Sequence, residues 1–250
     1  MIDFELDGKV AIVTGASRGL GRASAIALLE QGARVLAVAR SLDRLKELES
    51  VAPTSIQIRQ CDMRDAGTLA QLPQVAIDGF GSLDIVVNNA GVAPAGKFLE
   101  QNTQVWADVM AVNVTAPAIL THAAGQHMMS QGSGKIINVA STSGILGKAT
   151  LVAYSASKGA LLQFTKALAA EWAKAGIQVN AIAPGAFATD AQRAVLDAPE
   201  ILERRLRKIP LRRMGDSEEI GPLVCYLGSS KSDFVTGSVF VIDGGESSKL

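Results

Sequence analysis

Tyr154 and Lys158 stand four residues apart in the stretch Tyr154-Ser155-Ala156-Ser157-Lys158. That spacing stacks two side chains on one face of a helix. An ammonium beside a phenol favours the phenolate, so the pair predicts a Tyr pKa drawn down from its reference of about 10. A fall of about three units would represent roughly 4 kcal/mol of differential stabilisation. A phenol tuned in this way is a usable acid or base near neutral pH. A Tyr and a Lys at this spacing also arise by chance on ordinary helices, so the elements that position them carry the argument.

The chain begins with a β-branched strand, Lys9 to Val13, followed by Thr14-Gly15-Ala16-Ser17-Arg18-Gly19-Leu20-Gly21 and a helix from Arg22 to Gln31. Strand, Gly-rich turn and helix form the context in which backbone N–H groups can approach a pyrophosphate at a helix N-terminus. The glycines at 15, 19 and 21 do not follow the GxGxxG spacing of the commonest dinucleotide fingerprint. Gly32 ends the helix, and Arg34 to Ala39 completes a βαβ unit. At the tip of that second strand, an acid would bond the ribose 2′-OH of NAD, whereas an Arg accommodates the 2′-phosphate of NADP. Here the tip is Ala39-Arg40, with no carboxylate before Asp43, and Arg18 in the turn can converge on the same phosphate. The expected cofactor is NADP(H).

A helix from Leu42 to Glu49 and a strand from Ser55 to Gln60 come next, and Cys61-Asp62 lies at the strand's carboxyl end. The ligand side of an open α/β sheet is that end, so Asp62 is placed to bond an adenine amino group. Leu83 to Val87 is a buried strand running into Asn88-Asn89-Ala90-Gly91. Thr103 to Ser130 is helical and carries Asn113 among apolar residues, where a buried amide needs partners. Lys135 to Val139 is the fifth strand, with Ser141-Thr142-Ser143-Gly144 at its end. The helix bearing Tyr154 keeps one apolar face of Leu161, Phe164, Leu168 and Trp172. Ile177 to Ile182 is a strand stopped by Pro184-Gly185. Phe187 to Arg213 is irregular, then helical and rich in Arg, and reads as a mobile cover over the site. A helix from Ser217 to Leu227, capped by Asp216 or Ser217, and a strand from Val239 to Ile242 before Asp243-Gly244-Gly245 close the sequence. The pattern predicts one domain over 1–250, a Rossmann-like doubly wound α/β fold with a seven-stranded parallel sheet flanked by helices and a substrate lid at about 186–214.

Bulk properties narrow the function classes. Hydrophobic residues make up 48% of 250, the composition of a globular chain. Lys plus Arg equals Asp plus Glu at 24 each, so no global field favours nucleic acid or an anionic membrane. No apolar run approaches a spanning helix, and the acidic start lacks the order of a signal peptide. Cys61 and Cys225 have no CxxC or His-rich company, so buried thiols are expected and a metal site is not. His122 and His127 lie in one helical stretch without partner ligands. The expected compartment is the cytoplasm.

With these residues assembled, the sequence resembles the short-chain dehydrogenase/reductase family along nearly its whole length. The likeness rests on TGASRGLG at 14–21, NNAG at 88–91, Asn113, Ser141, YSASK at 154–158, PG at 184–185 with Thr189, and DGG at 243–245. The resemblance implies Tyr154 as general acid in ketone reduction and base in alcohol oxidation. It implies Lys158 as the group that lowers the Tyr pKa and binds the nicotinamide ribose. Ser141 would hydrogen-bond the substrate oxygen, and Asn113 would hold a water linking Lys158 to solvent. It further implies cofactor contacts from Gly15, Ser17, Arg18, Gly19, Leu20, Gly21, Arg40, Asp62, Met63, Asn89, Ala90, Gly91, Pro184, Gly185, Phe187 and Thr189. Homotetramers through the helices around 103–130 and 152–174 and the last strand are common in the family. The termini look most like the branch of gluconate, sugar-acid and 3-oxoacyl reductases. Acyl-carrier-protein reductases similar to this chain carry docking arginines before the fifth and sixth strands, but Ser130–Gly134 and Lys174–Gly176 contain none. The expected activity is NADP(H)-dependent interconversion of a ketone and a secondary alcohol, on a sugar acid, ketoacid or 3-oxoacyl substrate. The competing expectation is a non-catalytic NADP-binding sensor or scaffold, which would have no use for a tuned phenol.

Overall fold

A computed structural model describes residues 3–248. Strands Val10–Thr14 (β1), Arg34–Ala39 (β2), Ile56–Gln60 (β3), Ile85–Asn88 (β4), Gly134–Val139 (β5), Ile177–Pro184 (β6) and Val239–Ile242 (β7) form one sheet in the order β3-β2-β1-β4-β5-β6-β7. Every neighbouring pair is parallel, so all carboxyl ends leave by the same edge. The winding reverses between β1 and β4, where such sheets open a crevice for ligands.

The helices are Gly19–Glu30 (α1), Leu42–Glu49 (α2), Ala66–Phe80 (α3), Thr103–Met110 (α4), Ala116–Gln131 (α5), Val152–Trp172 (α6), Arg193–Leu196 (α7), Pro199–Leu206 (α8) and Gly221–Gly228 (α9). They cover both faces of the sheet. Ala11 and Val13 of β1 pack with Leu28, Leu45, Leu48 and Val224 from α1, α2 and α9. The alternate residues Val10 and Ile12 pack with Leu69, Leu72, Leu120 and Trp172 from α3, α5 and α6. Burial on both faces is why the inner strands read as largely apolar runs rather than alternating ones.

Three departures from the sequence pattern matter. No element is expected between Asp62 and Leu83, yet α3 lies there. Gly67, Pro73 and Gly79 depress its helix propensity, while tertiary burial of Leu69, Leu72, Pro73 and Ala76 supplies the stability. Its ends are conventional: Asp65 accepts from Thr68 N at the N-cap, and Gly81 closes it at φ 89°. Second, α1 begins at Gly19 rather than Arg22, with Arg18 as N-cap. Gly19 and Gly21 are thus part of the helix's first turn. Third, the long helix expected from Thr103 to Ser130 is α4 and α5 joined by a π-helical turn, Ala111–Thr115, with Asn113 at its centre. Such turns free backbone groups from the regular ladder and often sit at functional sites.

Between β6 and α9 the chain leaves the sheet over 187–214, carrying the short α7 and α8. Its two ends meet. Phe187 and Gly215 form an isolated parallel bridge, with Ala188 N donating to Gly215 O and Gly215 N to Ala186 O. Past the bridge, Asp216 and Glu219 form a reciprocal capping box. It begins a 3₁₀ turn, Ser217–Ile220, that leads into α9. No helix among the described residues is long and apolar enough to cross a membrane.

Candidate active site

The Gly-rich turn is fitted against the end of β4 by the absence of side chains. A Cβ on Gly15 would stand 2.8 Å from Asn89 Nδ2 and 2.9 Å from Ala90 Cα, and one on Gly21 would collide with Asn89 Nδ2 and the Gly15 carbonyl. Gly15 also holds φ at 66°, a left-handed value that favours glycine. Thr14 Oγ1 accepts from Asn89 N at 3.0 Å and from Ala90 N at 3.1 Å, and Asn89 Nδ2 donates to Thr14 O at 2.9 Å. Asn89 and Ala90 therefore fasten the turn to the sheet. Asn88 points away into the protein, donating to Thr121 Oγ1 and Asn138 Oδ1.

This fastening leaves the N-terminus of α1 facing the crevice. Its first turn holds no acidic residue and no side-chain cap, so the helix N–H groups and their dipole remain available to an anion. Ser17 is half-buried in the turn, and Leu20 packs against the core under it. Arg18 and Arg40 are exposed, and neither has an ion-pair partner within 4 Å among the described residues. Buried Ala39 precedes Arg40, whose backbone carbonyl accepts from Gln60 Nε2 at 2.8 Å.

The end of β3 is more charged than its sequence suggests. Asp62 accepts from Arg64 through Nη2 at 2.7 Å, Nε at 3.1 Å and backbone N at 2.9 Å. These bonds hold its carboxyl down at about 2. Met63 beside it is buried, and burial pushes the Cys61 thiol up to about 11. Arg64, which sequence reasoning passed over, adds a third cation to this side of the crevice. Its close neighbour Asp62 was the available signal.

At the other end of the crevice, Ser141 leaves β5 and Tyr154 and Lys158 project from α6. A Cβ on Gly144 would stand 2.6 Å from the Lys158 backbone, so the turn after Ser141 lies directly on α6. Lys158 is 3% exposed; its Nζ donates to Val139 O at 2.7 Å and lies 5.7 Å from the Tyr154 ring centroid. The expected fall in the Tyr pKa does not occur. Burial raises Tyr154, opposed in part by hydrogen bonding with Ser141. Burial also brings Lys158 down to about 8. The ammonium is directed at a carbonyl rather than at the phenol, and desolvation is the leading cause for both groups.

Asn113 reaches this cluster from the π-helical turn. Its Oδ1 accepts from Val92 N at 2.9 Å, and its Nδ2 donates to Val92 O at 2.9 Å and to Ser157 Oγ at 3.0 Å. Both amide protons are engaged, leaving one lone pair of Oδ1. Asn113 thereby clips the strand following Gly91 to α6, where a Cβ on Gly91 would stand 3.5 Å from Lys158 Nζ. From β6, Gly185 N donates to Ile242 O at 2.9 Å, directly after Pro184, and Gly185 packs against Asp243. Phe187 is buried against Gly215, and Thr189 lies over the Gly-rich turn, 3.3 Å from where a Gly19 Cβ would be. The expected residues thus gather along one edge of the sheet: the Gly-rich turn, Arg18, Arg40 and Asp62 at β1, β2 and β3, and Ser141, Tyr154 and Lys158 at β5 and α6.

Known proteins match this arrangement over its full extent. The sequence profile described as Enoyl-(Acyl carrier protein) reductase matches residues 15–247. A 2-dehydro-3-deoxy-D-gluconate 5-dehydrogenase of Bacillus subtilis is 37% identical over 244 residues, covering 97% of this chain and 96% of the relative. A 3-oxoacyl-[acyl-carrier-protein] reductase of Vibrio cholerae is 35% identical over 242 residues, covering 97% and 98%. The crystal structure of a gluconate 5-dehydrogenase from Burkholderia cenocepacia in complex with NADP and tartrate superposes with a TM-score of 0.94 at 31% identity, covering 99% of this chain and 98% of that one. Sequence and fold agree from end to end, and the chain belongs to the short-chain dehydrogenase/reductase family.

Proposed function

We propose that this protein is an NADP(H)-dependent oxidoreductase that interconverts a ketone and a secondary alcohol, with Tyr154 as general acid and base. The preferred substrate class is a sugar acid or ketoacid; a 3-oxoacyl group is the less favoured member, because Ser130–Gly134 and Lys174–Gly176 lack Arg for an acidic carrier protein. The observation that carries the reading is the approach of Ser141, Tyr154 and Lys158 at the same sheet edge as an uncapped helix N-terminus. A sensor would gain nothing from that cluster.

The residues fit the cofactor. The glycine cradle and the α1 N-terminus suit a pyrophosphate, Arg18 and Arg40 suit a 2′-phosphate, and Asp62 and Met63 suit an adenine. The cofactor supplies the hydride when bound. In reduction, Ser141 Oγ donates to the substrate oxygen, and Tyr154 transfers its phenolic proton to the same atom. Lys158, its Nζ held on Val139 O and 5.7 Å from the ring centroid, is a cation close enough to favour the phenolate electrostatically. The remaining lone pair of Asn113 Oδ1, beside Gly91 and Lys158, suits a water that would return the proton. In oxidation the phenolate removes the proton instead.

The segment 186–214 acts as a lid on a single-domain protein and carries more Arg and Lys than Asp and Glu, which suits anionic substrates. Homotetramers would cover the exposed Trp106 and Val152 beside the long helices and Val241 on β7. A cytoplasmic setting suits the buried, unpaired thiols of Cys61 and Cys225. NADPH oxidation measured against ketoacids, sugar acids and acyl thioesters tests the reading. Turnover of none of them, with NADPH bound tightly, would return the protein to the sensor class.

A further inference from the structure

Asp62 leaves the carboxyl end of β3, and Arg64, two residues on, holds its carboxylate by three bonds. Arg64 donates to Oδ1 from its backbone N at 2.9 Å and from Nε at 3.1 Å, and to Oδ2 from Nη2 at 2.7 Å. The backbone bond is an Asx turn, and Asp65 N closes the same stretch on Asp62 O at 2.9 Å. Asp65 in turn accepts from Thr68 N at the start of α3, so the loop that carries Arg64 is anchored at both ends. A carboxylate offers about four lone pairs. Three are occupied here, and the one left over is on Oδ2.

The neighbours of Asp62 place it at the crevice. Cys61 N donates to Ala39 O at 3.0 Å and Gln60 Nε2 to Arg40 O at 2.8 Å, so the end of β3 is tied to the tip of β2. On its other side, Met63 lines a hollow together with Thr14 and Ala90, which fasten the Gly-rich turn. The Asp62 side chain is 36% exposed, enough for an incoming donor to reach the open lone pair. An ion pair as exposed as this one adds little to stability. What the three bonds fix is direction. Held by Arg64, the carboxylate can neither turn to Arg40, whose charge reaches it, nor follow a ligand whose donor lies elsewhere.

We propose that Arg64 is a positioning residue for the cofactor: it aims one oxygen of Asp62 at the amino group of the adenine and so makes the protein reject a purine that carries a carbonyl there. This role rests on the cofactor reading above, in which Asp62 and Met63 suit an adenine, and assigns its base selectivity to a residue that acts through Asp62. A fixed acceptor discriminates because it cannot re-aim at a donor one ring position away.

The test compares NADPH with its hypoxanthine analogue, in which C6 carries a carbonyl oxygen and N1 a proton. Fluorescence titration of the protein gives both dissociation constants without any substrate. The wild type is expected to bind NADPH about tenfold or more tighter, the scale of a hydrogen bond to a charged group. In Arg64→Leu the carboxylate can swing to the N1 proton, and that ratio should fall about two- to tenfold, the scale of the side-chain ordering that the clamp supplies in advance. In an Asp62→Asn background the same substitution should leave the ratio where it is. An equal weakening of both dinucleotides by Arg64→Leu, as a charge acting on the phosphates or a loosened loop would produce, overturns the proposal, and so does no change at all. A wild type that binds both equally overturns it too, by removing Asp62 from the adenine, and leaves the oxidoreductase reading intact. Binding of neither dinucleotide overturns that reading and the proposal with it.

Discussion

Arg44 Nη1 on α2 lies 2.8 Å from Asp190 Oδ2 in the segment after β6. The two residues are 146 positions apart in sequence and come from opposite ends of the crevice. Thr189, beside Asp190, lies over the Gly-rich turn. The pair therefore clasps a strand of chain across the place where a pyrophosphate would lie. Both side chains are nearly half exposed, so the clasp is worth about 0.2–1 kcal/mol and is screened by salt. Asp190→Asn should speed NADPH release by up to about fivefold in low salt, converting that energy into a rate. The difference from wild type should vanish near 1 M salt. Stopped-flow displacement of NADPH measures it, and a salt-independent difference would argue against an ionic clasp.

Tyr154→Phe removes the proton donor without changing the ring that packs in the site. Turnover is expected to fall by ~10²–10⁴ or more, with NADPH affinity preserved. Near-wild-type turnover on the best substrate would remove Tyr154 from the mechanism.

Two pH effects follow from burial. Tyr154 is raised above its ordinary value in the ligand-free protein, so the phenol stays protonated through neutral pH. Reduction, which needs the acid form, should hold across neutral pH and decline only in the alkaline range; oxidation, which needs the phenolate, should climb with pH. Lys158 moves from an ordinary 10.5 to about 8. Between those values the unfolded chain binds more protons than the folded one, so stability rises with pH. The cost of the buried charge is fully present below about pH 8 and is relieved toward 10.5. Melting curves across that window should show the rise, and Lys158→Met should flatten it.

Cofactor choice should be decided at the tip of β2. A phosphate needs cations or loses hydration without return, and neither Arg40 nor Arg18 forms an ion pair within 4 Å among the described residues. Bonds to charged groups contribute about 1.5–3 kcal/mol, enough for a roughly tenfold to hundredfold preference for NADPH over NADH. Ala39→Asp with Arg40→Ser should reverse it. Titrating wild type and variant with both cofactors provides the check: equal or tighter NADH binding by the wild type would mean that the arginines act elsewhere.

The sequence displays what depends on local chemistry. The inner strands β1, β2, β4, β5 and β6 could be placed because burial on both faces forces a continuous apolar run, and the Gly-rich turn because close backbone approach admits no other residue. Helix α3 was illegible because Gly67, Pro73 and Gly79 argue locally against the helix that packing imposes. The π-helical turn was hidden because one extra residue per turn leaves no mark on side-chain periodicity. Arg44 with Asp190, and Arg205 with Glu246, join residues that only the tertiary fold brings together. The direction of the Tyr154 shift was misread for a related reason: spacing reveals a neighbouring ammonium, but not the burial that overrides it or the Val139 carbonyl that claims it.

The bridge between Phe187 and Gly215 has an evolutionary consequence. Because the isolated bridge holds both ends of the 188–214 excursion side by side, the loop's closure at its base depends on few of the residues within it. Doubling the length of a flexible loop with fixed ends costs only about 0.6 kcal/mol, little against the burial that holds the sheet together. The excursion is thus an exchangeable cassette. A change in its length or residues should therefore leave Ser141, Tyr154 and Lys158 in register at β5 and α6.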